Sequence, residues 1–291
     1  MTGSEPGRVL LTGATGFVGR QIHKALLAEG HAVRAVIRAG TADRLATTRA
    51  TEIVATSDLF AEPAVWWRDV CRESDAVVHA AWYVTPGRYL DASENLDCVR
   101  GSLALARGAA EAGVAYWLGL GTCFEYRLPS DRLGIDAPLE PTTLYGAAKK
   151  ALFELLTAHF AGSPTRFAWA RLFYLYGEGE AAGRLVPYLR ACLAEGRIAD
   201  LSAGTQIRDF LDVAEAGRMI AAIVAARQAG PINVCSGTAV TIRQLAERVM
   251  DESGRRDLLR FGSAPPRPGD PAVVVGICNA EIRSGNRIER P

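Results

Sequence analysis

The feature that most constrains this chain is a run of three spaced glycines close to its N-terminus. Gly13, Gly16 and Gly19 follow a short apolar stretch, and a helix-like segment and a second apolar stretch come after them. At this spacing the first glycine allows a tight turn, the second lets backbone N–H groups approach a pyrophosphate, and the third lets the helix pack on the strand. The helix N-terminus adds unpaired N–H groups and the positive end of its dipole. The spacing therefore predicts a phosphate-binding turn that opens a βαβ unit.

The next part of the chain alternates between apolar strand-like stretches and helix-like stretches. Helices are predicted near 17–29, 61–72, 92–112 and 144–161, and strands at 9–11, 33–37, 52–55, 76–80, 116–120 and 167–172. Strands that are almost wholly apolar and are separated by helices are typical of a parallel sheet covered on both faces. We therefore predict an α/β fold, with a doubly wound Rossmann sheet over residues 1–176 that binds a dinucleotide.

After residue 176 this alternation becomes irregular. Helices are expected at 185–196, 213–227 and 242–253, with a strand at 232–235. A short strand pair is expected around Leu201 and Gln206, and segments from about 204–235 are expected to return to the first domain. We predict that residues 177–291 form mainly a smaller α+β substrate-binding lobe.

Composition excludes several classes of partner. The 291 residues include 33 basic and 32 acidic side chains, so the net charge of +1 gives no indication of a nucleic-acid partner. No apolar run approaches the ~20 residues that a membrane span needs, and the first residues lack a signal-peptide pattern. The six scattered cysteines have no zinc-site spacing. A cytoplasmic protein with no metal and no membrane partner is expected.

Three side chains form a candidate catalytic group. Tyr145 and Lys149 lie one turn apart at the start of a predicted helix, and Thr122 ends a predicted strand. A phenol with a pKa near ~10 becomes useful in proton transfer at neutral pH when a nearby ammonium lowers that pKa. A strand-end hydroxyl at the carboxyl edge of a parallel sheet faces the ligand crevice. Tyr-x-x-x-Lys alone is often an ordinary helix face, but its order after the glycine turn and Thr122 favours catalysis.

Taken together, the motifs resemble those of the extended short-chain dehydrogenases/reductases, in the nucleotide-sugar epimerase/dehydratase group. The resemblance covers nearly the whole chain. The motifs that carry it are Thr12–Gly19, Asp58-Leu59, Asp75–Ala81, Thr122, Tyr145–Lys149, 171–177, Arg208–Phe210 and Arg267–Asp270.

The resemblance implies a role for each of these segments. Asp58 and Leu59 would lie at the adenine, Ala80 and Ala81 at the ribose and pyrophosphate, and Lys149 at the nicotinamide ribose, beside Tyr145. The remaining cofactor-binding residues would come from the glycine turn, namely Gly13, Thr15, Gly16, Phe17, Val18 and Gly19.

Two arginines would bind the substrate in such a protein. The resemblance implies that Arg208 and Arg267 grip the diphosphate of a sugar nucleotide, which suits the paired donors of a guanidinium. The alternative for each is a surface ion pair, of Arg208 with Asp209 or Asp212 and of Arg267 with Asp270. Thr122 would also contact the substrate.

The end of the second predicted strand bears on cofactor choice. Family members that prefer NAD carry an acidic residue there that holds the ribose hydroxyls. Here the position is Ile37, and Arg38 follows, with Arg34 earlier on the strand. Because a guanidinium suits a 2′-phosphate, we predict NADP(H); the alternative is that Arg38 is simply exposed.

The residues after Thr122 narrow the reaction. The family's 4,6-dehydratases carry Asp-Glu there, whereas this chain has Cys123 and Phe124, and alternation along an extended chain turns Glu125 to the other side. Cys123 is expected to serve in packing. Trp82 and Tyr83 follow the fourth predicted strand, and contact between them and substrate is left open.

The leading hypothesis is therefore an NADPH-dependent reductase of a nucleoside-diphosphate-4-keto-6-deoxyhexose at C4, in deoxysugar biosynthesis. One alternative is a nucleotide-sugar 4-epimerase. An alternative of another class is a non-catalytic NADP-binding sensor, since fold does not determine function. A homodimer is left open.

Overall fold

Strands alternate with helices along the described part of the chain, which comprises residues 7–45, 48–265 and 269–280 of this computed structural model. The helices are α1 (Phe17–Ala28), α2 (Ala64–Cys71), α3 (Glu94–Glu111), α4 (Leu144–Phe160), α5 (Leu185–Glu195), α6 (Val213–Ala226) and α7 (Ile242–Asp251). The strands are β1 (Arg8–Thr12), β2 (Ala32–Arg38), β3 (Thr51–Thr56), β4 (Ala76–His79), β5 (Tyr116–Thr122), β6 (Ser130–Leu133), β7 (Arg166–Leu172), β8 (Tyr174–Tyr176), β9 (Ala199–Leu201), β10 (Ile207–Asp212), β11 (Gly230–Val234), β12 (Ala239–Thr241), β13 (Leu259–Phe261) and β14 (Val273–Gly276). Single turns of 3-10 helix cover Ala42–Arg44, Cys123–Glu125 and Arg256–Leu258.

A seven-stranded parallel sheet in the order β11-β7-β5-β4-β1-β2-β3 supports the fold. Successive residues of β1 point to opposite faces, so Val9 and Leu11 pack with α1 and α6, while Leu10 packs with α2, α3 and α4. The predicted doubly wound sheet is confirmed, and each strand predicted before residue 177 is present with slightly different ends. The carboxyl ends of β1, β2, β4 and β5 share one edge of the sheet, where a ligand would bind.

The second half of the chain builds two smaller sheets. One has five strands, with β12-β10-β14-β6 in order and β8 paired to β10; the other pairs β13 with β9. The strand pair expected around Leu201 and Gln206 is wrong, because Leu201 pairs with Phe261 while the strand that begins at Ile207 joins the five-stranded sheet. Since β11 pairs with β7, the chain returns to the large sheet after β10 and α6. The lobe boundary near residue 176 stays a prediction.

An open apolar groove of about 680 Å³ runs between α3 and α4. Leu96, which lines it, is 60% exposed. A homodimer, left open by the sequence, stays untested. Among the described residues, none of the helices combines the length and the apolar character needed to cross a membrane.

Candidate active site

The glycine turn has the geometry that its spacing predicts. Gly13 has a φ of +71°, and a Cβ there would lie 2.7 Å from the backbone nitrogen of Ala81. A Cβ on Gly19 would collide with the carbonyl oxygen of Gly13, so the helix could not pack this closely on the turn. Both positions therefore require glycine for steric reasons.

The start of α1 suits an anionic group. Gly16 is exposed and precedes the helix, which has no side-chain cap and no acidic residue in its first turn. The N–H groups of that first turn, beginning with Phe17 and Val18, thus lack a capping side chain and can donate hydrogen bonds to a phosphate. Thr15, in the turn itself, is half-buried. These residues fit the pyrophosphate of a dinucleotide.

The other cofactor positions follow neighbouring strands. Ala80 and Ala81 come directly after β4, and Asp58 and Leu59 come shortly after β3. Asp58 is exposed and its Oδ1 accepts the N–H of Phe60 at 3.0 Å. Because β4 and β3 run parallel to β1 in one sheet, all of these residues lie toward the edge that carries the glycine turn.

The two arginines of β2 differ. Arg34 bonds the Glu52 carboxylate at 2.9 Å and the carbonyl oxygens of Val70 and Arg72 at 2.8 and 2.7 Å, so its guanidinium is committed within the fold. Arg38 ends the strand and is exposed. A cation for a 2′-phosphate would therefore come from Arg38 and not from Arg34.

Thr122 and Tyr145 come together at the end of β5. Tyr145 lies in the first turn of α4, whose N-cap, Thr143, accepts the N–H of Gly146 at 3.2 Å. A Cβ on Gly146 would strike the carbonyl oxygen of Phe124, so this glycine lets α4 approach the turn after β5. The close approach allows the phenol of Tyr145 to hydrogen-bond the Thr122 side chain.

Lys149 is buried one turn further along α4. Its Nζ donates to the carbonyl oxygen of Leu120 at 2.6 Å and lies 3.6 Å from the centroid of the Trp82 ring. Burial lowers the pKa of Lys149 to about 7. Among the residues that the structure describes, no carboxylate lies within 4.0 Å of this ammonium.

The expectation that Lys149 lowers the pKa of Tyr145 is wrong. Burial raises the pKa of Tyr145, the nearby Tyr89 raises it further, and the hydrogen bond with Thr122 opposes the rise. The reason is geometric, since the Lys149 ammonium is directed to the Leu120 carbonyl. Tyr145 is consequently a protonated phenol at neutral pH.

Sequence reasoning missed a buried ion pair behind Thr122. The Glu125 carboxylate accepts the backbone N–H of Thr122 at 2.8 Å and the Nε–H of Arg171 at 2.7 Å, and both charged side chains are fully buried. The expected alternation does not apply, because Cys123–Glu125 form a 3-10 turn and not an extended chain, and Glu125 folds back onto the Thr122 backbone. The signal that could have revealed its role is the Thr-x-x-Glu spacing of a capping box, which is present here.

Two other polar side chains near the site belong to the core. Burial raises the pKa of the Cys123 thiol to about 12, in keeping with packing. His79 hydrogen-bonds Thr12 at 2.8 Å and Ser102 at 2.7 Å, and burial lowers its pKa to about 3. Neither side chain exchanges a proton easily near neutral pH.

Arg208 is not the surface residue that the alternative reading expected. It is buried in β10, and its Nη2 donates to Asp270 at 2.6 Å. Asp209 instead accepts from Ser236 and from backbone N–H groups, and Asp212 caps α6, so neither pairs with Arg208. Arg267 lies outside the described residues, and its convergence with Arg208 stays a prediction.

The relation of Arg208 to the candidate catalytic group runs through aromatic rings. Its guanidinium carbon lies 5.1 Å from the centroid of Tyr174, which is 6.2 Å from Phe124, which is in turn 6.4 Å from Tyr145. Two aromatic rings, those of Tyr174 and Phe124, therefore separate the Arg208 guanidinium from Tyr145.

Comparison with known proteins gives consistent matches. The NAD dependent epimerase/dehydratase family matches residues 9–235. The dTDP-6-deoxy-L-talose 4-dehydrogenase (NAD(P)(+)) of Kitasatospora kifunensis is 30% identical over 86% of this chain and 80% of its own length. The dTDP-6-deoxy-L-talose 4-dehydrogenase (NAD(+)) of Aggregatibacter actinomycetemcomitans is 24% identical over 92% of this chain and 98% of its own.

A solved structure shares the fold. The dTDP-glucose 4,6-dehydratase DesIV of Streptomyces venezuelae, with NAD and TYD bound, has a TM-score of 0.80 against this chain. The match covers 93% of this chain and 88% of that one at 24% identity.

Proposed function

This chain belongs to the NAD dependent epimerase/dehydratase family, and we propose that it reduces a nucleoside-diphosphate-4-keto-6-deoxyhexose at C4 with NADPH. The observation that carries the proposal is the buried, protonated phenol of Tyr145, hydrogen-bonded to Thr122 at the carboxyl edge of the sheet. A phenol that holds its proton is suited to donate it to a carbonyl oxygen. The two relatives named as 4-dehydrogenases of a 6-deoxyhexose lend support, because such an oxidation run backwards is a 4-keto reduction.

Three side chains divide the work of the proposed reaction. A bound reduced nicotinamide supplies the hydride that goes to sugar C4. Tyr145 gives its proton to the C4 carbonyl oxygen, and Thr122 hydrogen-bonds the same oxygen as negative charge develops on it. The Lys149 ammonium would stabilise the phenolate that remains on Tyr145 once it turns from the Leu120 carbonyl toward the phenolate oxygen. Hydride and proton together convert the carbonyl to a hydroxyl.

The cofactor proposed is NADP(H). Ile37 is buried and places no carboxylate at the end of β2, whereas Arg38 is exposed there. Arg38→Ala should weaken NADPH binding about tenfold or more and leave NADH binding nearly unchanged, because one phosphate contact is lost. Fluorescence titration with both cofactors measures this, and Arg166→Ala, an exposed arginine at the opposite end of the sheet, is the control. Equal affinity of the native protein for NADPH and NADH would contradict NADP specificity.

The proposed substrate contacts are Thr122, Arg208 and Arg267. Arg208 is paired with Asp270, so a diphosphate would have to replace this carboxylate. The side chain of Asp270 is 30% exposed, whereas that of Arg208 is 2% exposed, so the acid is the partner that can turn outward. A phosphate would then take its place with paired charge-assisted bonds.

The decisive experiment is to measure NADPH oxidation against a panel of nucleotide-linked 4-keto-6-deoxy sugars, with the configuration at C4 of the product read by NMR. Stoichiometric oxidation by one nucleotide sugar is expected. Interconversion of 4-hydroxy sugars with no net consumption of cofactor would instead support the 4-epimerase. Tight NADPH binding without turnover on any member of the panel would support the sensor.

A further inference from the structure

Trp82 makes an unusual contact with the candidate catalytic group. It follows β4, and its ring lies 3.6 Å from Nζ of Lys149 and 6.4 Å, edge to face, from the ring of Tyr145. A cation this close to the face of an indole is attracted by the ring quadrupole, and the attraction is strongest where water is excluded. Lys149 is such a site, since its side chain is buried.

The indole is held in place by Asn95. Its Nε1–H donates to Oδ1 of Asn95 at 2.8 Å, while Nδ2 of Asn95 donates to the carbonyl oxygens of Tyr89 and Ala92 at 2.7 and 2.9 Å. Because both amide protons are engaged, the amide oxygen must face the indole. Asn95 is fully buried in the first turn of α3, so the ring has a rigid anchor.

The groups around Lys149 give it little opposite charge. Burial raises the pKa of Cys98 on α3 to about 11 and lowers that of His79 on β4 to about 3, so both are neutral at pH 7. Glu125, beyond β5, is already bound to Arg171. The groups in direct contact with the desolvated ammonium are therefore the Leu120 carbonyl and the Trp82 ring, while the more distant Glu125 carboxylate raises its pKa.

We propose that Trp82 is a positioning residue, whose indole face keeps the buried Lys149 ammonium charged and holds it in place one helical turn after Tyr145, with Asn95 holding the indole. The role concerns the same site as the proposed reduction and rests on it for its functional meaning. An aliphatic side chain at position 82 would remove the ring face and leave the Leu120 carbonyl as the hydrogen-bond acceptor of the ammonium.

The chain contains only three lysines, 24, 149 and 150, so the charge of Lys149 can be followed directly. Protein labelled with ¹³C-lysine is titrated by NMR, and the Lys149 side-chain resonance is assigned with Lys24→Arg and Lys150→Arg. The wild-type pKa of Lys149 is expected at about 7. Trp82→Leu should lower it by about one pH unit, because the cation loses the ring face, whereas Trp82→Phe should change it by less than half as much. Trp82→Met provides a second aliphatic replacement if the leucine variant folds poorly.

The control is Trp66→Leu, which removes a half-buried indole of α2 that packs on Trp67 and not on Lys149. This variant should leave the Lys149 titration unchanged. If the aliphatic variants at Trp82 leave the titration where it was, the proposal is overturned. A rise in the pKa overturns it as well, because the ring would then act by excluding water.

Kinetics with a nucleotide-linked 4-keto sugar add a second measurement. In Trp82→Leu, the alkaline limb of the kcat profile should move to lower pH together with the NMR titration, with little change in KM for the sugar. If the alkaline limb of the kcat profile stays in place while the NMR titration moves, the claim that Trp82 positions Lys149 for turnover is contradicted. Absence of turnover in the wild-type protein would refute the proposed reduction, and the NMR titration would still decide whether Trp82 holds the charge.

Discussion

Two buried basic side chains near the end of β5 differ in what balances their charge. Arg171 lies 2.7 Å from the Glu125 carboxylate, and both side chains are fully buried. Lys149 is equally buried, but within the described residues it has a carbonyl oxygen and an aromatic ring in place of a carboxylate. Arg171 is therefore charged at every accessible pH, whereas Lys149, with a pKa of about 7, changes its charge near neutrality.

The difference indicates that the Arg171 charge stabilises the fold, whereas the Lys149 charge can change near neutral pH. The buried ion pair holds its neighbours in place, because the Glu125 carboxylate also accepts the backbone N–H of Thr122. A buried cation without a carboxylate has a shifted pKa, which is typical of a functional group. Arg208 lies between the two cases, because its partner Asp270 is partly exposed and is, in our proposal, replaced by a diphosphate.

The largest expected effect comes from breaking the ion pair between Arg171 and Glu125. Arg171→Met should lower the free energy of unfolding by about 3–5 kcal/mol, because Glu125 would remain buried and charged without its partner. Urea denaturation measures this. Arg166→Met, at the exposed amino end of the same strand, should stay within about 0.5 kcal/mol of wild type. A small effect at Arg171 would show that the two basic centres do not differ as described.

Removing the phenol next to Lys149 should act on turnover and not on folding. Tyr145→Phe should reduce kcat by ~100-fold or more, because the positioned acid is lost, while NADPH still binds. Tyr116→Phe is the matched control, since its hydroxyl donates to the carbonyl oxygen of Gln228 at the opposite end of β5. The control should lose about 1 kcal/mol of stability and keep its turnover. Near-native activity of Tyr145→Phe would place the reacting group elsewhere.

Replacing Lys149 should produce a pH-dependent difference in the free energy of unfolding. The pKa of Lys149 is about 7 in the folded protein and about 10.4 when unfolded. The unfolded state binds more protons between these values, so this group's contribution to stability increases as the pH rises. Relative to Lys149→Met, the wild type should therefore gain about 1.5 kcal/mol from about pH 7 to about pH 8.5.

Thermal unfolding of the cofactor-free proteins at both pH values measures this gain. The same substitution should also abolish turnover and weaken cofactor binding. A wild-type advantage over Lys149→Met that falls as the pH rises would contradict the assignment of a lowered pKa to Lys149.

The smallest effect is expected at the ion pair between Arg208 and Asp270. Arg208→Ala should raise KM for the nucleotide sugar by roughly tenfold, because a charge-assisted contact with phosphate is lost, without changing NADPH affinity. Asp270→Asn should lower KM, because the carboxylate that competes with the diphosphate becomes neutral. Steady-state kinetics of both variants with the same sugar would test this. An increase of KM in Asp270→Asn equal to that in Arg208→Ala would identify the pair as purely structural.

Some features of the site could be predicted from the sequence and others could not. Gly13 and Gly19 could be assigned because backbone sterics restrict which residue fits a tight turn. The partner of Arg208 could not be assigned in this way, because Asp270 lies 62 residues away and the sequence offered it only as an alternative partner of Arg267. Likewise, the sequence predicts that Lys149 lowers the pKa of Tyr145. In the structure burial raises that pKa, and the Lys149 ammonium is directed to the Leu120 carbonyl.

The sequence by itself determined the strand–turn–helix unit, the alternation that produces a parallel sheet, and the order of Thr122, Tyr145 and Lys149 along the chain. These follow from side-chain periodicity and local sterics, which act over a few residues. Only the tertiary structure decided that β9 pairs with β13 and that Glu125 pairs with Arg171, 46 residues away. It also decided that Lys149 faces the Trp82 ring. Such partners are chosen by packing, since the energy of a buried charge depends on every group brought around it when the chain folds.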